Sequence, residues 1–270
     1  MSFPRKTMLL AAGLGERLRP LTLTVPKPLI PIAGRPLIEY NLTLLKKFGV
    51  QEVMINLYHL GEKIQQRLGD GKKWGIKIHY SEEKELLGTG GGVKAVADFF
   101  GEESFFLLNA DILIDLNLEE LFSFHTKQKS LATLVVAPSD RPDVTRKVFV
   151  GENGEVLKID REGPQGKFPP MIFTGAQIVE SEVLAQLPPL PNPLPPRERE
   201  KEGERGKVKK SCIIEDAYIP LMKLGKKLSA YVFKGYWRDL GTLERYESVK
   251  KEFEKSWPYT TLSPDDFIDS

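Results

Sequence analysis

An α/β fold, with a mostly parallel sheet and helices on both of its faces, is what this sequence predicts. Three observations lead there. Over residues 7–138, short apolar runs alternate with stretches whose apolar residues fall at helical spacing. The first apolar run breaks straight into the turn Gly13-Leu14-Gly15, where a parallel strand would feed a crossover. Beyond residue 146 the helical spacing lapses and strands follow one another through Gly-containing turns, which adds a small antiparallel part.

Each element has its own signal. Residues 7–12 form the first strand. Pro36 opens a helix whose Leu37, Leu44, Leu45 and Phe48 share a face, and Gly49 closes it. A strand at 52–57 carries β-branched Val53 and Ile55, a helix covers 60–68, and a strand covers 76–80. Residues 81–92 read as a loop ending in Gly88-Thr89-Gly90-Gly91-Gly92, with a helix from 93 to 100 after it. An apolar strand at 104–109 ends in Asn109-Ala110-Asp111, and a helix at 118–128 leads to a strand at 131–138. Strands at 147–150, 156–160 and 171–179 make the antiparallel part, with Gly151-Glu152-Asn153-Gly154 as a hairpin turn. A helix at 213–224, a strand at 228–233 and a helix capped by Thr242 and running to about 255 complete the domain.

Two stretches break the pattern. Six of the 20 prolines fall in 188–196, and residues 197–210 then mix seven basic with four acidic side chains. Such a segment cannot bury enough apolar surface to fold alone, so 188–210 reads as a disordered surface insertion. Residues 256–270 are polar and proline-containing and read as a loose tail. The domain therefore spans 1–255, interrupted by the insertion.

Of 270 residues, 41% are hydrophobic and 28% charged, and the net charge is only +2. That balance predicts neither a nucleic-acid nor a membrane partner. Cys212 is the single cysteine and has nothing to pair with; together with the lack of Cys/His clusters this predicts a reducing, cytoplasmic setting. The apolar run at 8–12 is too short for a signal core or a membrane helix.

The chemistry is concentrated early. A strand running into a glycine turn presents backbone N–H groups in a concave loop suited to phosphate. Arg17, Arg19 and Lys27 follow, each close to a glycine or proline that limits its freedom. Cations held this way lose little entropy on meeting a polyanion. The commoner glycine loops do not fit. Leu18 stands where a dinucleotide fingerprint wants its third glycine, no acidic residue ends the second strand, and no Walker loop occurs.

Gly13-x-Gly15-x-Arg17 with Pro20-Leu21-Thr22, followed by Pro26-Lys27-Pro28-Leu29, resembles the opening of the sugar-1-phosphate nucleotidyltransferases, the nucleotide-sugar pyrophosphorylases. The resemblance covers about residues 7–187 and 211–250. It implies a Rossmann-like three-layer sandwich with a small antiparallel sugar-side addition. It also implies transfer of a nucleotidyl group from a nucleoside triphosphate to a sugar 1-phosphate, with Mg²⁺ as cofactor, for cell-wall or surface polysaccharide precursors.

By the same resemblance Arg17 and Lys27 are the catalytic cations, on the departing pyrophosphate and at the reacting centre. Ala12, Gly13, Gly15 and Glu16 lie along the nucleotide. Glu85, Gly88, Thr89 and Gly90 border the base. Asp111, just past an apolar strand, and Asp239, in Trp237-Arg238-Asp239-Leu240-Gly241-Thr242, resemble the two metal aspartates. Asn109, Thr174 and Gly175 face the sugar phosphate. Family members often carry Glu-Lys-Pro before the sugar-side loop. Here the segment is Asp160-Arg161-Glu162-Gly163-Pro164, which leaves Arg161 or Lys158 to replace that lysine. Within the family, the chain is most similar to the short enzymes acting on N-acetylmuramate 1-phosphate with UTP. The guanylyltransferases for mannose and heptose phosphates are close behind. The alternative is a non-catalytic subunit that binds nucleotide sugars; retention of Arg17, Lys27, Asp111 and Asp239 favours an enzyme.

Overall fold

The computed structural model describes residues 2–138, 146–164, 168–190 and 210–267. Most of the predicted insertion, residues 191–209, lies outside the described residues, as do the last three of the tail.

The strands are β1 (Lys6–Leu10), β2 (Pro31–Ile32), β3 (Arg35–Pro36), β4 (Glu52–Leu57), β5 (Lys77–Glu82), β6 (Phe105–Asn109), β7 (Ile112–Ile114), β8 (Ala132–Pro138), β9 (Lys147–Val150), β10 (Val156–Asp160), β11 (Pro170–Val179), β12 (Leu228–Val232) and β13 (Trp237–Asp239). The helices are α1 (Leu37–Lys47), α2 (Gly61–Leu68), α3 (Gly88–Lys94), α4 (Ala97–Phe100), α5 (Leu118–Gln128), α6 (Ile219–Lys223) and α7 (Leu243–Lys255). One wide turn, Ile214–Tyr218, runs into α6.

The main sheet runs β10-β9-β11-β6-β1-β4-β5, with β8 on β11 and β12 on β8. β1 lies between β4 and β6 and is parallel to both, with Leu9 opposite Ile55 and Leu108. The chain leaves β1 to one side for β4 and returns on the other for β6. This is a topological switch point, and the crevice beyond the carboxyl ends of such strands is where α/β folds place ligands.

Alternate residues of each central strand enter different cores. Leu9, Val53, Ile55 and Leu108 pack with α1, α2 and α5 on one face. Met8, Met54, Phe105 and Leu107 pack with α4 and α6 on the other. Burial on both faces is why these strands read as continuous apolar runs. The result is the expected three-layer arrangement. No helix among the described residues is long and apolar enough to cross a membrane.

Two predicted elements are corrected. The glycine run is not a loop: α3 begins at Gly88. Glycines are poor helix formers, but tertiary contacts settle the matter. Gly90 N donates to Ser211 O at 2.9 Å, Ser211 N donates to Leu87 O at 2.8 Å, and Ile213 N donates to the Thr89 hydroxyl at 3.1 Å. A segment from the far side of the chain thus pins the first turn of the helix.

The C-terminal tail is not loose over its described part. Tyr259, Leu262 and Phe267 are buried. Tyr40 of α1 is ringed by Phe253, Trp257, Tyr259 and Phe267, with centroids 5.7, 6.2, 5.9 and 5.0 Å away. The Asp115 carboxylate, just past β7, accepts from Thr260 N, the Thr260 hydroxyl and Thr261 N at 2.7, 2.6 and 2.7 Å. Polar composition concealed a segment that is anchored by a few well-placed rings.

Candidate active site

At the end of β1 the chain turns through Ala11–Gly15. Gly15 sits at φ +63°, in the left-handed region. A Cβ there would also come 2.8 Å from the Thr22 methyl. The buried Thr22 hydroxyl donates to Gly15 O at 2.9 Å, which explains why Pro20-Leu21-Thr22 follows the turn. Gly13 faces open space: a methyl there would meet nothing within 4 Å. Leu18 is buried and anchors the far side of the loop, leaving Glu16 and Arg17 exposed.

Lys27 lies between the buried Pro26 and Pro28, in a single tight turn closed by Leu29 N donating to Pro26 O at 2.8 Å. Its side chain is 11% exposed, and its ammonium is ion-paired with Asp111 Oδ2. Ala110 N donates to Leu10 O at 3.0 Å, prolonging the β1–β6 pairing and delivering Asp111 to the sheet's carboxyl edge.

Asp239 arrives from far along the chain. β13 pairs antiparallel with β7 so that Asp239 lies opposite Ile112, the residue next to Asp111. Asn41 of α1 holds the Ile112 carbonyl at 3.2 Å, and Trp237 Nε1 donates to Thr174 O at 2.9 Å, fixing β13 from behind. Asp239 Oδ1 accepts from Gly241 N at 3.0 Å and from the Arg245 guanidinium at 2.7 Å. A Cβ on Gly241 would lie 2.7 Å from Asp239 Oδ1 and 3.1 Å from an Arg17 nitrogen. The Arg17 guanidinium is therefore brought over the same corner.

Arg17, Lys27, Asp111 and Gly241 border one cavity of about 530 Å³, while Asp239 and Arg245 stand just outside its lining. Ala12, Gly13, Gly15, Glu16, Arg17, Lys27 and Asp111 line one part of it. Leu86, Gly88 and Thr89 line another, with Asn109, Asn56 and Gly241 also on the wall.

Other predicted contacts stand elsewhere. Glu85 and Gly90 do not line the cavity; Gly90 is buried where Ser211 crosses, and a Cβ on it would come 2.5 Å from the Ser211 hydroxyl. The Thr174 hydroxyl is turned into the sheet, donating to Val135 O at 2.9 Å. Gly175, at φ +91°, marks where the β11 pairing with β8 shifts register, and it presses against the Asn109 side chain rather than opening to the cavity. Arg161 is exposed beyond β10, at the sheet's outer edge, and Lys158 pairs with Asp160 at 3.1 Å. Neither borders the cavity. Short motifs identify a loop, but which of its atoms face inward depends on what packs behind it.

Reading the sequence alone missed four residues. Lys210 lines the cavity together with Gly88 and Thr89 of α3 but was hidden at the end of a charge run. Arg245 carried no signal beyond being an ordinary helix residue. Asn56 and its partner Glu83 meet only through the sheet.

The Gly88 position gives a direct test of the close crossing. Its φ is +78°, and a Cβ would fall 2.4 Å from the Ser211 carbonyl oxygen. Gly88→Ala is expected to destabilise the fold by about 1–3 kcal/mol. A urea midpoint equal to that of the parent chain would refute the crossing.

The comparisons with known proteins agree with this fold. The family model described as "Nucleotidyl transferase" matches residues 6–256. A UTP–glucose-1-phosphate uridylyltransferase of Synechocystis is 34% identical over 197 residues, 68% of this chain and 51% of the relative. A mannose-1-phosphate guanylyltransferase catalytic subunit beta of Dictyostelium discoideum is 32% identical over 239 residues, 87% of this chain and 61% of the relative. An N-acetylmuramate alpha-1-phosphate uridylyltransferase of Neisseria meningitidis is 45% identical over 118 residues, 43% of this chain and 51% of the relative. The aligned parts thus span about half to three-fifths of these curated relatives. Among solved structures, a UDP-glucose pyrophosphorylase complexed with UDP-glucose superposes with a TM-score of 0.72 at 21% identity, covering 93% of this chain and 99% of that one.

Proposed function

Because the chain belongs to the nucleotidyl transferase family, we propose that it transfers the nucleotidyl group of a nucleoside triphosphate to a sugar 1-phosphate and releases pyrophosphate. The observation that carries this reading is that Arg17 and the Lys27–Asp111 ion pair border one cavity at the carboxyl edge of β1 and β6, with Asp239 opposite Ile112, next to Asp111. Two anions must be brought together there, and negative charge grows on the leaving group.

In the proposed reaction an oxygen of the sugar phosphate forms a bond to the α-phosphorus. The bond from that phosphorus to the β-bridging oxygen breaks, and pyrophosphate leaves with its electron pair. Lys27 sets a fixed positive charge at the reacting centre, and Arg17 meets the departing end. The N–H groups of the Gly13–Gly15 turn offer donors to phosphate oxygens. No protein nucleophile is needed, because positioning and charge compensation supply most of the acceleration.

The donor set suits Mg²⁺. Asp111 on the cavity wall and Asp239, opposite its neighbour Ile112, offer carboxylate oxygens of the kind chosen by a hard cation that keeps several waters and takes phosphate oxygens. Among the described residues there is no group of three or more His, Cys, Asp or Glu of the kind that encloses a metal completely. Asp111 and Asp239 would hold the ion, which when bound compensates phosphate charge.

Relatives named as uridylyl- and guanylyltransferases favour UTP or GTP as donor. The test is a matrix of the four nucleoside triphosphates against glucose, mannose and N-acetylmuramate 1-phosphates, read by pyrophosphate release. One pair is expected to turn over, to stop on adding EDTA and to recover with Mg²⁺. Nucleotide binding without pyrophosphate release across the matrix would instead favour a non-catalytic nucleotide-sugar-binding subunit.

A further inference from the structure

From Asn56 on the cavity wall a hydrogen-bonded chain runs inward that the proposed chemistry does not use. Asn56, on β4, is 3% exposed, and Glu83, just past β5, is 8% exposed. Ala11 N, at the start of the glycine turn, donates to Asn56 Oδ1 at 2.8 Å. Asn56 Nδ2 donates to Glu83 Oε1 at 2.7 Å. Leu87 N, at the start of α3, donates to Glu83 Oε2 at 2.9 Å. Glu83 N in turn donates to Leu57 O at 2.8 Å, so the carboxylate is fixed to β4 by its own backbone.

The chain therefore runs without a gap from the triphosphate turn to the base-end helix, and every atom in it has a defined donor or acceptor role. Gly92 makes room for it: a Cβ there would lie 2.8 Å from Asn56 Nδ2 and 2.9 Å from Glu83 Oε1. Burial pushes the Glu83 carboxyl above the usual range, while the Leu87 N–H and the Asn56 amide pull it back. A buried carboxylate is expensive to keep. Here one of its oxygens is engaged by Asn56, which itself holds Ala11 N, and the other by Leu87 N at the head of α3.

We propose that Glu83 is a positioning residue that, through Asn56, fixes the distance between the Gly13–Gly15 turn and the Leu86–Thr89 segment, and so sets the affinity for the nucleotide. This rests on the reading that the cavity takes a nucleoside triphosphate. The sugar phosphate gains nothing from this spacing, so the effect belongs to one substrate.

The network's donor pattern supplies the test. Glu83→Gln keeps the shape but replaces an acceptor with an NH₂ group, so one donor must face another, at Asn56 or at Leu87 N. Adding Asn56→Asp restores the pattern. The new carboxylate at position 56 would accept from Ala11 N and from the new amide at position 83, while the carbonyl of that amide accepts from Leu87 N. The same single negative charge remains buried.

The full-length chain is assayed by pyrophosphate release with its best nucleoside triphosphate and sugar 1-phosphate, both singles and the double variant being made. Glu83→Gln is expected to raise KM for the triphosphate at least tenfold, with kcat and the sugar phosphate KM within threefold of the parent. The double variant is expected to bind the triphosphate at least threefold better than either single. A triphosphate KM for Glu83→Gln within twofold of the parent overturns the proposal. So does an equal rise in both KM values, or a double variant worse than both singles. Should Glu83→Gln not fold, the double variant decides: a triphosphate KM within tenfold of the parent supports the pairing, and a larger rise overturns it. A parent chain that binds no nucleoside triphosphate would count against the proposed function instead.

Discussion

Lys27→Ala is expected to lower kcat about a hundred- to thousandfold while leaving the fold intact. Lys27 is held in a tight turn between two prolines, is only 11% exposed, and has its ammonium on Asp111. A cation so placed needs little reorganisation as charge builds on the phosphates, and a flexible surface lysine could not take over. The change leaves Asp111, at 32% side-chain exposure, able to find water, so little stability is lost. If Lys27 acts mainly on the transition state, KM for the triphosphate moves far less than kcat. Steady-state pyrophosphate release and a urea melt on the same preparation separate the two effects. A kcat within threefold of the parent would remove Lys27 from the reacting centre.

The second large effect concerns stability. Truncation after Lys255 removes Tyr259, Leu262 and Phe267 from the core, uncovers Tyr40, and leaves the Asp115 carboxylate without its three donors. Burial of such side chains stabilises by about 1.5–3 kcal/mol each, and a buried carboxylate stripped of donors costs more. The expected loss is on the order of 5 kcal/mol, enough to unfold many domains. If the truncated chain does not fold, Asp115→Asn gives a graded version, with an expected loss of about 1–3 kcal/mol from one donor facing another. A truncated chain with an unchanged urea midpoint would return the tail to the loose segment its composition suggests.

How far the sequence could be read depended on the range of the interactions involved. The glycine turn, Lys27 and Asp111 were legible because each is set by neighbours close in sequence: a strand, a glycine, two prolines. The central strands were legible because burial on both faces leaves unbroken apolar runs. β7 and β13 were not, since three residues carry no periodicity. The helix at Gly88 was masked by its own glycines, and only Ser211 arriving from across the chain makes a helix there. The tail failed for a related reason: Trp257, Tyr259, Leu262 and Phe267 follow neither a period of 2 nor one of 3.6. Of the expected sugar-side contacts, Thr174 and Gly175 serve the sheet, and Arg161 lies at its rim.

The short ladder between β7 and β13 bears on the order in which the molecule matures. During synthesis the glycine turn and Lys27 leave the ribosome first, Asp111 follows, and Asp239 comes long after. Until β13 emerges and zips against β7, the corner holds a single aspartate, and the segment that clasps Asp115 is missing as well. A nascent chain can therefore build most of its sheet before it has both carboxylates.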